Sequence, residues 1–313
     1  MQLPKEMTLV KTPPIKCQGI KTKLVKFIFK NVTWSGAGSW IEPFLGSGVV
    51  LFNLAPERAI GADANPHIIS FYQNVKEKKI TPSIVRSFLE KEGAILESKG
   101  AEYYYEVRVR FNSYHNPLDL LFLSRACFNG VMRCNKKGHF NVPFNHKTER
   151  FSKSYITKIV NQVKWVSEKL DGKEWDFVCA DWRDTFRKCK EKDFVYLDPP
   201  YFGRHTDYFG RWSEREMLDF ISAVKNLPCG YALSLWKKNL YRTNTFIDDY
   251  FNNHIIRVIS HDYFVGSTES LRHKIEEALI IKLGFEQKVP DLNYEKETIE
   301  NQNRALSQRE LIP

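Results

Sequence analysis

Long apolar runs are missing from this chain. Stretches such as 49–52 and 278–281 fall far short of the roughly 20 residues that a membrane-spanning helix needs, so no membrane segment is expected. The opening Met1-Gln-Leu-Pro-Lys-Glu6 has neither the basic start nor the apolar stretch of a signal peptide, and the expected location is the cytoplasm. Cysteine gives no scaffold either. Cys17, Cys127, Cys134, Cys179, Cys189 and Cys229 make no CxxC pair and follow no regular spacing, which argues against a zinc cage and a disulfide framework. Free thiols in a reducing compartment follow. HExxH is absent, and His139 and His146 stand apart in a polar stretch, so no metal site is expected.

Acid is the scarcer charge. The 313 residues include 37 Asp and Glu against 47 Lys and Arg, and the resulting +10 favours an anionic partner. Core material is plentiful: 42% of residues are hydrophobic and 14% aromatic. With a mean hydropathy of −0.42, that composition describes a soluble folded protein and excludes disordered, collagen-like and coiled-coil classes.

Length alone suggests about two domains. Residues 39–52 read as a short strand running into a glycine turn and an apolar helix start. A second strand at 58–63 ends on Asp63, and Asn65-Pro66 opens a helix through Val75. Strand, glycine loop, helix, strand and acid in that order predict the first half of a Rossmann-like sheet. From about 80 to 151 the chain turns aromatic and basic with weak periodicity, which predicts helices and loops projecting from the sheet, including a buried helix at 120–127. Residues 111–117 read as an ordinary loop. Strands are predicted again at 175–180, at 194–197 just before Asp198, and at 231–235, with a last one at 278–282 paired with 255–259. The expected architecture is α/β: a split domain at 14–80 plus 155–287, an inserted, mostly helical module at 81–154, and a loose polar tail at 288–313.

The sharpest signal is Tyr196-Leu-Asp-Pro-Pro-Tyr201, directly after an apolar strand. A carboxylate at a strand's carboxyl end lies where open α/β sheets place their ligands. Pro199 and Pro200 remove two backbone donors and fix φ, which leaves acceptor carbonyls beside the acceptor Asp198. An aromatic ring at Tyr201 completes a site suited to a planar base carrying an amino group, held by Asp198 and the Pro199 carbonyl and stacked on the ring. Glu42-Pro-Phe-Leu-Gly-Ser-Gly48 is the second signal. Gly46 and Gly48 permit close backbone approach, and Asp63 stands where a carboxylate takes a ribose hydroxyl pair. GxGxxG is not matched, and Glu42 beside the loop suits a positively charged ligand such as a sulfonium better than a pyrophosphate.

In their order, Glu-Pro-Phe-x-Gly-x-Gly at 42–48, Ala62-Asp63-Ala-Asn65 and Asp198-Pro-Pro-Tyr201 resemble the Dam-like class of DNA adenine methyltransferases that use S-adenosylmethionine. Gln18-Gly19-Ile20-Lys21 is similar to the family's Gly-Gly-Lys cofactor motif. Phe128-Asn129-Gly130-x-x-Arg133-x-Asn135-x-x-Gly138-x-Phe140-Asn141-Val142-Pro143-Phe144 is similar to its recognition segment. The motifs run from residue 16 to 280, most of the chain. Where the family has Lys-Trp-x-Gly-Gly-Lys, this chain has Lys16-Cys-Gln-Gly-Ile-Lys21, without the Trp and the second Gly.

The resemblance implies that Gly19, Lys21, Asp63, Asn65 and Asp198 meet the cofactor. It implies that Glu42, Pro43, Phe44, Gly46 and Gly48 hold its methionine part, and that Asp181, with Trp182 beside it, holds its adenine. It also implies that Phe128 and Asn129 insert beside a flipped-out base and that Arg133 touches a base edge. Lys16, Asn135 and Pro143 belong to the same expected DNA face. Arg125, Lys136, Lys137, Lys147 and Arg150 are expected to contact phosphate or guanine, and Arg204, in the loop after Tyr201, to lie near phosphates. Residues 267–274 are similar to a late family region, which implies a loop near the target base. The function expected is methyl transfer from S-adenosylmethionine to the amino group of adenine in double-stranded DNA, with Asp198, Pro199, Pro200 and Tyr201 catalytic. A cognate restriction endonuclease is the expected genetic, not physical, partner. The alternatives are cytosine-N4 methylation, which more often has Ser in place of Asp198, and a catalytically inert DNA-binding module of the same fold.

Overall fold

A computed structural model describes residues 7–17, 19–130, 132–135, 138–201, 212–240, 242–263 and 273–287. Lys136, Lys137, Arg204, the 202–211 part of the loop after Tyr201, residues 267–272 and the 288–313 tail lie outside the described residues.

Helix α1 (Val25–Asn31) precedes β1 (Trp40–Glu42), α2 (Val49–Leu54), β2 (Arg58–Asp63) and α3 (Pro66–Lys76). Three further helices follow, α4 (Pro82–Lys99), α5 (Ala101–Tyr114) and α6 (Pro117–Ala126), and then a stretch with two short 3-10 turns, Phe128–Gly130 and Thr148–Phe151, leads to α7 (Lys153–Leu170). The sheet resumes with β3 (Glu174–Cys179), α8 (Trp182–Phe186), β4 (Phe194–Leu197), α9 (Glu214–Lys225) and β5 (Gly230–Lys238). It ends with α10 (Phe246–Tyr250), β6 (Ile255–Tyr263) and β7 (His273–Ile281).

Local sequence explains several of these starts. The helices α3, α4 and α6 each begin with a polar cap followed by proline. Asn65 accepts from the His67 amide, Thr81 from Ile84 and Asn116 from Leu118, while the proline takes the position whose N–H has no helical partner. The loop expected at 111–117 is instead the last turn of α5, closed by His115 at φ 54°. Asn112, read as a turn residue, uses its side-chain amide to clamp the Phe140 backbone through both N–H and C=O, at 2.8 and 3.1 Å.

Among the described residues, seven strands form one sheet in the order β3-β2-β1-β4-β5-β7-β6. Pairings among β1 to β5 are parallel and those of β7 antiparallel, so 255–259 does pair with the last strand, which begins earlier than expected. β4 is buried at every residue, as a strand covered on both faces must be. Alternate residues feed two cores. Trp40, Phe194 and Tyr196 join the cluster under α1 to α7, whereas Ile41, Val195 and Leu197 join the one under α8, α9 and α10. The first cluster is continuous from Trp40 and Phe194 of the sheet to Phe122, Phe140 and Phe151 beyond α4. The 81–154 segment therefore has no separate core. Among the described residues, no helix is long and apolar enough to cross a membrane.

Candidate active site

The order of strands reverses direction at β1 and β4. From β1 the chain proceeds to β2 on one side, and from β4 to β5 on the other, while β1 and β4 pair directly through Trp40↔Phe194 and Ile41↔Val195. The carboxyl ends of these two strands carry the two sharpest sequence motifs, side by side at the switch point where open sheets leave a crevice.

A cleft opens there. Its walls include Gly19, Lys21, Glu42, Pro43, Phe44, Gly46, Asp63, Asn65, Asp181, Trp182, Asp198 and Pro200, so residues far apart in sequence are brought together. Gly48 lies beneath the wall and turns it: at φ 69° it begins α2, and a Cβ there would stand 2.7 Å from the Phe52 ring. Asp63 holds the loop down, accepting from the Gly46 amide through Oδ2 and from Asn65 through Oδ1, both at 2.8 Å. Its carboxylate retains lone pairs for a further donor. Asp181 caps α8 by accepting from the Arg183 amide at 2.9 Å, and its oxygens also lie 3.3 and 3.5 Å from the Arg183 guanidinium. Trp182 is buried and donates to Glu216 at 3.1 Å.

Behind Asp198 lies a buried ionic network. Lys21, 6% exposed, places its ammonium 3.2 Å from Asp198 Oδ1 and 3.4 Å from Glu277 Oε1, and it also donates to the Tyr201 hydroxyl. Tyr201 in turn donates to Glu277 Oε1 at 3.1 Å, and its ring centroid lies 4.5 Å from the Lys21 ammonium. Glu277 comes from β7, on the same sheet face as His261 of β6, whose Nε2 is 3.6 Å from Oε1.

These carboxyls differ widely in proton affinity. Burial raises Asp198 to about 6, with Lys21 opposing and Glu277 adding to the rise. Burial would also raise Glu277, but the Lys21 ammonium and the contact with His261 outweigh it and bring it down to about 2. Glu42 is pushed up to about 8 by burial and by Asp198, against the hydrogen bond from Trp40 Nε1 at 2.9 Å. Asp63 is raised by burial.

A ribbon at 127–144 stands beside the cleft. Isolated bridges join Cys127 to Phe144 and Cys134 to Phe140, and the Phe128 amide donates to the Pro143 carbonyl at 2.8 Å. Met132 and Cys134 of the ribbon line the cleft, while Phe128 is 53% exposed beside it. Asn129, also exposed, has φ 54°, in the left-handed region that Asn tolerates. Arg133 donates from Nε to Asn141 Oδ1 at 3.0 Å, and Asn135 accepts at its side chain from the His139 amide at 3.1 Å. Pro143 is exposed. The stem of Lys16 packs on Gly130, and burial together with Arg125 and Arg150 lowers its ammonium pKa.

One DNA-side expectation fails. Arg125 is 2% exposed, donates to the Pro14 carbonyl and, at 2.7 Å, to Gln162, and so braces the interior where a phosphate contact was expected. Sequence reading also missed residues that the fold brings in. Met132, Cys134, Trp212 and Glu216 join the cleft, and Glu277 lies behind it. Only the spacing of Met132 and Cys134 inside the recognition segment could have drawn attention to any of them. Among the described residues, no group of three or more His, Cys, Asp or Glu is arranged to hold a metal ion.

Comparison with known sequences gives the family. The model of the D12 class N6 adenine-specific DNA methyltransferase matches residues 18–261. The chain belongs to that family. Among curated relatives, a DNA adenine methylase of Vibrio cholerae is 32% identical over 193 residues, 60% of this chain and 64% of that one. A DNA adenine methylase of Serratia marcescens is 36% identical over 51% of this chain and 57% of its own length. The type II methyltransferase M.MjaIII of Methanocaldococcus jannaschii is 34% identical over 60% and 68%. The match thus spans less than two thirds of the first two relatives. The D12 family's methyltransferase character implies a methyl donor.

Proposed function

We propose that this chain is a site-specific DNA methyltransferase that moves a methyl group from S-adenosylmethionine to the exocyclic amino group of a flipped-out adenine in double-stranded DNA. The observation that carries the reading is the position of Asp198, with Pro199 and Pro200 behind it. It stands at the end of β4, beside Glu42 and the glycine loop at the end of β1.

The cleft fits that cofactor by its charge. Asp63 and Asp198 wall it with Glu42, which holds its proton near neutrality and which a bound cation would favour ionised, and the one ammonium within reach of Asp198 among the described residues, that of Lys21, is shared with Glu277. Such a site disfavours a pyrophosphate and accommodates a cation. When bound, the cofactor supplies an electrophilic methyl group on sulfur. Gly19, Pro43, Phe44, Gly46 and Asn65 would hold its amino-acid and sugar parts. Asp63 would accept from ribose hydroxyls, and Asp181 with Trp182 would hold the adenine.

Asp198 and the Pro199 carbonyl accept the two amino protons of the target base, and the Tyr201 ring stacks against its face. Two acceptors in that arrangement draw the amino nitrogen toward tetrahedral geometry and make its lone pair available. No prior deprotonation is needed: the carbon–sulfur bond would break as the carbon–nitrogen bond forms, its electron pair staying on sulfur, and the methylated nitrogen would then release one of its two protons to Asp198 or water, while alignment of the groups supplies much of the rate. Phe128 and Asn129, exposed beside the cleft, would fill the space that the base leaves, while Arg133, Asn135 and Pro143 would face the duplex with Lys16 at the edge. The reading takes in either a restriction system, with the nuclease a genetic neighbour, or a Dam-like methylase that acts without one.

The test is to incubate the protein with duplex DNA and S-adenosylmethionine, digest the DNA and separate its nucleosides. N6-methyladenine is expected; methylcytosine without methyladenine overturns the choice of base, and no cofactor binding by calorimetry favours the inert module. Asp198→Ala is expected to lower turnover by roughly a thousandfold or more while leaving most duplex affinity, because phosphate contacts dominate binding. Near-normal turnover in that variant overturns the mechanism.

A further inference from the structure

The motifs leave Glu277 unexplained. It lies in the middle of β7, 4% exposed, opposite Trp236 of β5 and Ile259 of β6. Burying a carboxylate between two paired strands costs several kcal/mol, so its partners must return that cost. All three of them meet a single oxygen. Oε1 receives the Lys21 ammonium at 3.4 Å, the Tyr201 hydroxyl at 3.1 Å and His261 Nε2 at 3.6 Å, while Oε2 has no hydrogen-bond partner among the described residues. One of these partners, Lys21, also meets Asp198, and a second, Tyr201, meets that same ammonium.

We infer that Glu277 is a positioning residue for methyl transfer: it fixes the Lys21 ammonium and the Tyr201 hydroxyl against Asp198. The inference rests on Asp198 being the acceptor for the target amino group. Through geometry, the anchored hydroxyl fixes where the Tyr201 ring axis points, and the Lys21 ammonium held 4.5 Å from the ring centroid limits rotation about that axis, so the face on which a base can stack is set. Through charge, two carboxylates share one ammonium. Facing Asp198 are Lys21 from the start of the chain, Glu42 from β1, Tyr196 within β4, Tyr201 after it and Glu277 from β7, with His261 of β6 behind Glu277. Removing the Glu277 charge leaves Lys21 to Asp198 alone, which favours the ionised, accepting form of Asp198.

Single-turnover methyl transfer by the full chain, measured from roughly pH 5 to pH 9, tests this. In Glu277→Gln the acid limb should move to lower pH by about one unit, and turnover on the plateau should fall by roughly tenfold as Tyr201 and Lys21 lose their anchor. In Glu277→Asp, which keeps the charge but shortens the reach, the limb should stay where it is in the unaltered protein while turnover still falls. A loss in Glu277→Gln that is uniform across pH reports a merely structural role and overturns the inference, as does unchanged turnover. If Glu277→Gln does not fold, Glu277→Asp decides: normal turnover overturns it. Near-normal turnover in Asp198→Asn would instead remove the reading of Asp198 itself, so the two failures are distinct.

Discussion

A carboxyl that keeps its proton near neutrality ties stability to pH, and Glu42 is such a group. Its pKa of about 8 in the folded chain is far above the ordinary value of 4.5, so between those limits the native state holds a proton that the unfolded chain has released. The stability it contributes is complete below the ordinary value and is lost as pH rises through 8. Asp198, at about 6, acts in the same sense over a lower range. Glu277, at about 2, acts oppositely: its contribution is present above the ordinary value and is lost as pH falls toward 2. Glu42→Gln, which keeps the Trp40 hydrogen bond without a charge to desolvate, should therefore flatten the alkaline fall in stability by a few kcal/mol. Thermal unfolding between pH 6 and 9 checks it, and a midpoint that drops as steeply as in the unaltered protein counts against it. The acids Glu42, Asp63 and Asp198 were legible in the sequence because each ends an apolar strand, where position alone assigns a role. Glu277 was not. The last strand was expected only from residue 278, and only the register of β7 against β5 and β6 places one of the two acids just before it behind Lys21. Arg125 is the converse, a cation that looks like a phosphate ligand until tertiary packing buries it.

The turn between β1 and α2 shows how an element can depend on single glycines to different degrees. At Gly48, a substitution meets both φ 69° and the Phe52 ring, with a Cβ 2.7 Å from it. At Gly46, φ is 50° but the nearest atom to a Cβ is 4.0 Å away. Gly48→Ala should cost roughly 2–4 kcal/mol in chemical denaturation and weaken methyl-donor binding, whereas Gly46→Ala should cost about 1 kcal/mol. Equal costs would show that backbone strain alone governs the turn. Strands were the most legible elements because short apolar runs bounded by turn residues have few other uses in a sheet covered on both faces. The end of α5 was not legible, since Asn112, Ser113 and His115 are turn formers by composition. The Asn112 amide is engaged with the Phe140 backbone, so it does not compete with its own helix.

For the molecule as a whole, a charge of +10 must be balanced by counterions that a duplex would displace. Duplex affinity should fall linearly on a log–log plot against salt, with a slope of about −0.9 for each phosphate contacted, and Asp198→Ala should leave that slope unchanged. Titrations at several salt concentrations check it; a flat dependence would place the basic surface elsewhere. The sequence also divided the chain into a split α/β unit and an inserted segment, a division by order that the interior does not repeat. The stacked rings of Phe122 and Phe151, 4.8 Å apart, belong to the same cluster as Trp40 and Phe194 of the sheet. Grafting a foreign recognition segment onto this sheet is therefore a problem of interior volume before it is one of DNA contacts. The graft must refill the space that Phe122, Phe140 and Phe151 occupy, to within about one methylene group, or the strands that carry Glu42 and Asp198 lose their floor.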